Sequence, residues 1–68
     1  MSFQPAYFAQ RIDGIWQVSR NRQFVESFPD KSDAWKEAQR LARGAGGVAC
    51  LIGRGGIVIA RNVYISDD

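Results

Sequence analysis

Only one stretch of this chain repeats its apolar residues at helical spacing, and everything around it alternates like β-strand. Ala34, Trp35, Ala38, Leu41 and Ala42 fall on one stripe of a 3.6-residue period, with Lys36, Glu37, Gln39, Arg40 and Arg43 on the other side. Pro29 and Asp30 precede the stripe, and Asp30 stands where an N-cap belongs, with Asp33 three residues on. Arg43 suits the negative end of the helix dipole and Gly44 a left-handed C-cap. The spacing predicts one helix over 31–43.

The flanking segments read as strands. Residues 6–12 (AYFAQRI) and 15–20 are joined by Asp13-Gly14, a strong hairpin signal because glycine accepts the positive φ of a tight turn. Trp16 and Val18 share one face. Asn21-Arg22 turns the chain into a third strand, 23–28, whose alternation places Phe24, Glu26 and Phe28 on one side and Val25 and Ser27 on the other. After the helix, 48–52 and 57–61 flank Gly53-Arg54-Gly55-Gly56, and 62–65 extends the last strand. The expected fold is a single α+β domain of order β-β-β-α-β-β, an antiparallel sheet with one helix packed on one face; residues 1–5 and 66–68 are expected to fray.

The last two strands are apolar on both faces. Val48, Cys50 and Ile52 alternate with Ala49 and Leu51, and Ile57 and Ile59 with Val58 and Ala60. Strands of this kind are normally covered on both sides, and one helix covers one. A second copy is the simplest cover. The expected partner is therefore another molecule of the same chain, in a homodimer, with Ala49, Leu51, Val58 and Ala60 as candidate interface residues.

Composition narrows the chemistry. The chain has 68 residues, 46% of them hydrophobic, one cysteine and no histidine. An internal disulfide is impossible and the usual zinc arrangements lack their ligands. Cys50 has no histidine base and sits amid apolar neighbours, so packing is its expected role. Asp13, Asp30 and Asp33 belong to turns and the helix start, and no carboxylate pair has a catalytic look. The glycine clusters leave a helix or join two strands, whereas phosphate loops lead from a strand into a helix. The expectation is a protein that is not an enzyme, with no cofactor, metal site or small-molecule substrate indicated. The amino terminus has no signal-peptide pattern, and no apolar run approaches the roughly 20 residues of a membrane span, so a cytoplasmic protein with no membrane partner is expected.

Nucleic acid is the alternative partner. The net charge is +2, or nine basic against five acidic residues once Asp67 and Asp68 are set aside. Lys36, Arg40 and Arg43 align along one helical stripe, and Arg54 and Arg61, with Arg11, Arg20 and Arg22, lie in strands or hairpin ends. Such residues contact a phosphate backbone if they converge. The plainer reading is a solvated helix face interrupted by Glu37, with arginines that keep sheet edges from aggregating. Trp16 and Trp35 are of the type that stacks on bases, but core positions are the expectation: Trp16 beneath the helix, Trp35 at the helix–sheet boundary.

The succession Tyr7, Asp13-Gly14, Trp16-x-Val18, a capped helix with Ala34, Ala38, Leu41 and Ala42, then a strand, a Gly-rich turn and Tyr64 resembles a small bacterial family, domain-of-unknown-function family 2188. The resemblance spans about residues 6–64 and implies a small β-rich domain with one helix and a bacterial setting. It carries over no catalytic residues. Gly55 stands where the family usually has Asp or Asn, and Ile57-Val58-Ile59-Ala60 is more apolar than the family's final strand, so a shared oligomeric state is not implied.

Overall fold

The computed structural model describes residues 4–65. β1 (Ala6–Ile12), β2 (Ile15–Arg20) and β3 (Gln23–Phe28) form a meander. α1 (Lys31–Ala45) follows, then β4 (Val48–Ile52), a short 3₁₀ turn (Arg54–Gly56) and β5 (Val58–Val63). The first turn has φ of 53° at Asp13 and 79° at Gly14, and the second has 47° at Asn21 and 75° at Arg22. Two successive positive φ values are the geometry that matches the twist of paired strands. Asn21 supports the second turn twice: its Oδ1 accepts from the Ala6 amide at 3.0 Å, and its own amide donates to the Ala6 carbonyl at 2.9 Å.

The sheet runs β3-β2-β1-β4-β5 and is mixed, correcting the expectation of an antiparallel sheet: β1 and β4 are parallel, and the other three pairings are antiparallel. The cause is the helix. Fifteen residues at about 1.5 Å each carry the chain back across the sheet by roughly 22 Å. The chain thus re-enters in the direction of β3, which is also that of β1, and β4 takes the free edge of β1.

Asp30 occupies the N-cap position of α1 with extended φ and ψ, without a side-chain capping bond. The helix passes through Gly44, where the sequence placed its cap, and ends at Ala45. Gly46 is left-handed at φ 66°, and the Gly47 amide donates to the Ala42 carbonyl at 2.8 Å, the six-to-one bond that closes a helix end. Of the three glycines near the end, Gly46 is the one that takes the left-handed conformation.

Beneath the helix lie Tyr7, Ala9, Val18, Ala49 and Leu51, meeting Ala34, Ala38 and Ala42, with Trp16, Phe28, Trp35, Leu41, Ala60 and Tyr64 partly buried around them. Both tryptophans thus sit against the core as expected. Among the described residues, five of the ten buried apolar ones are alanines, and Val18 is the largest side chain that is fully enclosed. This core is thin.

Two β-bulges change which residues share a face. In β3, Glu26 opposes Val18 and Phe24 opposes Ser19, so Val25 is the extra residue. Phe28, opposite Trp16, lies on the helix side while Phe24 lies on the open side, and the simple alternation fails there. In β5, Ala60 opposes Leu51 and Val58 opposes Ile52, leaving Ile59 as the extra residue. Ala60 therefore packs under the helix and Val58 faces away from it.

Candidate interaction surfaces

Among the described residues, nothing is layered over the sheet face opposite α1. Ile12, Ile15, Phe24, Val58 and Val63 stand on it between 43% and 63% exposed. Its middle is a shallow depression lined by Phe8, Gln10, Ile12, Gln17, Phe24 and Ile52, among others. Cys50 also belongs to this face but is 7% exposed, shielded in the centre of β4, in keeping with a packing role.

Of the four residues assigned to a dimer interface, three lie in the protomer's own core. Ala49 is fully buried, Leu51 is 5% exposed, and Ala60 is partly buried against them. Val58 alone is on the uncovered face. Alternation shows that both faces of β4 are apolar; which one the helix takes depends on where the crossover lands, which alternation does not encode. Three of the residues that do stand open, Ile12, Ile15 and Phe24, come from the first three strands. They were hidden by polar neighbours in sequence and, for Phe24, by the bulge.

The basic residues assigned to nucleic acid divide between separate surfaces. Lys36, Arg40 and Arg43 line one depression with Gln39 and Tyr64. Arg40 is already engaged: its Nε and Nη2 donate to the two Glu37 carboxylate oxygens at 2.8 and 2.7 Å. That bidentate bond holds the Glu37 carboxyl below its ordinary pKa and raises Arg40 above its own. Arg54 is on the turn between β4 and β5, and Arg61 is exposed on β5. Arg20 lies with its guanidinium carbon 6.0 Å from the centre of the Tyr7 ring, within range of a cation–π contact.

A third surface lies where β1 and β4 end and α1 begins. There Arg11, Lys31 and Arg54 line one groove with Trp16 and the glycines of the β4–β5 turn. Sequence spacing does not reveal this grouping, because its members come from three elements. Among the described residues there is no group of three or more His, Cys, Asp or Glu able to hold a metal, and no helix long and apolar enough to cross a membrane. Neither family models, nor curated proteins, nor solved structures include a match to this chain.

Proposed function

We propose that the protein is a non-enzymatic interaction module that works as a homodimer, two copies stacking the sheet faces that their helices leave open. The observation that carries this reading is the row of half-exposed apolar side chains, Ile12, Ile15, Phe24, Val58 and Val63, opposite the helix. Single exposed apolar residues are ordinary; five large ones on one open sheet face, even with Gln10, Gln17 and Ser19 among them, are not. A second copy is the occupant because the protomer needs one. A chain of 68 residues with no disulfide and an alanine-rich core buries little apolar volume of its own, and small domains commonly make up that deficit by association.

The dimensions suit such a pairing. Five strands about 4.8 Å apart and roughly 18 Å long give a face of about 400 Å² in plan. Stable complexes bury about 800 Å² of accessible surface per partner, so the pairing engages essentially the whole face. Two faces stacked about 10 Å apart enclose Phe8, Phe24 and Ile52 in a sandwich core. The fold and bacterial setting implied by the resemblance to family 2188 belong to the same proposal.

Light scattering at about 100 μM is expected to give twice the 7.6 kDa chain mass, and Phe24→Asp to give the single mass. A strict monomer at that concentration removes the proposal. Nucleic-acid binding by the helix stripe is the weaker reading, since Glu37 already neutralises Arg40. It predicts salt-dependent retention of nucleic acid that weakens when Lys36, Arg40 and Arg43 become Ala.

A further inference from the structure

The groove at the end of the sheet has a volume of about 570 Å³, within the range of small-ligand sites. Three cations border it, each from a different place in the chain: Arg11 near the end of β1, Lys31 at the start of α1 and Arg54 in the β4–β5 turn. No carboxylate lines it among the described residues, and none of the three makes an ion pair there, the Glu37–Arg40 bridge being the one formed. Like charges gathered in a concave site repel one another, and an anion relieves that repulsion.

Two further features narrow the ligand. Arginine offers a planar fork that matches phosphate oxygens two at a time, and two of the three cations are arginines. Trp16, half-buried, lines the groove beside them, and an indole ring is a flat apolar surface of the kind on which a base stacks. At Gly55 and Gly56 the turn leaves space, with nothing within 4 Å of a Cβ placed at either.

We propose that this groove binds a nucleotide unit, its phosphate held by Arg11, Lys31 and Arg54 and its base laid on Trp16. The unit is supplied either as a free nucleotide or within a single strand. The site is distinct from the helix stripe of Lys36, Arg40 and Arg43, which lines a different depression.

Calorimetric titration at about 50 mM salt, where phosphate contacts are least screened, tests it with three probes: adenosine 5′-monophosphate, an octathymidylate strand and inorganic phosphate. Both nucleotide probes are expected to bind, with inorganic phosphate at least about tenfold weaker. Arg11→Ala and Arg54→Ala are each expected to weaken nucleotide binding about tenfold, the scale of a lost charged hydrogen bond. The Lys36→Ala/Arg43→Ala double variant is expected to leave it unchanged. Tighter binding of the strand marks nucleic acid as the source, equal binding a free nucleotide, and either supports the site. No binding of either nucleotide probe at millimolar concentration overturns it. So does affinity that survives both arginine substitutions, or inorganic phosphate binding as well as the nucleotide. Circular dichroism checks that the variants fold, with Arg54→Gln replacing Arg54→Ala if needed. Repeating the titration on Phe24→Asp separates this site from self-association.

Discussion

A Cβ placed on Gly47 would collide with the carbonyl oxygen of Pro5, the same oxygen that accepts a hydrogen bond from the Val48 amide at 2.9 Å. The obstacle is backbone tied to β4 by that bond, so it cannot swing aside as a side chain tip would. Gly47→Ala is therefore expected to lower stability by about 2 kcal/mol, within the range of overpacking effects. Gly44 is the contrasting case: it is helical, exposed and has nothing within 4 Å of its Cβ position. Gly44→Ala should raise stability by up to about 1 kcal/mol, because alanine gives up less backbone freedom in a helix. Urea midpoints at unchanged slope read both. Opposite signs are the expected outcome; two stabilising or two neutral substitutions would contradict this account of the helix exit. Asp13-Gly14 was legible as a turn, while the role of Gly47 was not. Its need to be glycine comes from Pro5, far away in sequence.

The helix is anchored by small residues on one side and charged ones on the other. Ala34, Ala38 and Ala42, all fully buried, let its backbone sit close to the sheet, and their spacing made α1 the most legible element. Its exposed side holds the Glu37–Arg40 pair. Because Arg40's hydrogen bonds depress the Glu37 pKa, that pair's contribution is fully present above the unfolded carboxylate pKa and is lost as pH falls through the lower folded value. Wild type should thus be modestly more stable than Glu37→Gln at pH 7, with the difference shrinking by about pH 3 and in high salt. Urea titrations at the two pH values check this, and a gap that stays constant would place the effect elsewhere. The strands were less legible than the helix. Their limits lie close to those the alternation implies, but the extra residues Val25 and Ile59 shift the register partway along, and alternation carries no mark of a bulge.

For the whole molecule the unresolved balance is between a thin inner core and an uncovered outer face. If two copies share that face, folding and association are coupled, and the melting temperature rises by a few degrees for each tenfold increase in protein concentration. Phe24→Asp should abolish that dependence. A wild-type melting temperature that is flat with concentration speaks against the sandwich. By itself the amino-acid sequence determined the elements and their order, because helical and strand periodicity, Asp13-Gly14 and the helix-end signals act over a few neighbouring residues. It also determined that β4 is apolar on both sides. Tertiary structure alone decided that β4 lies parallel to β1, that α1 covers Ala49 and Leu51 in place of Cys50 and Ile52, and that Arg11, Lys31 and Arg54 meet at one groove. Those outcomes depend on where a 15-residue crossover returns the chain, a long-range choice that no local pattern records.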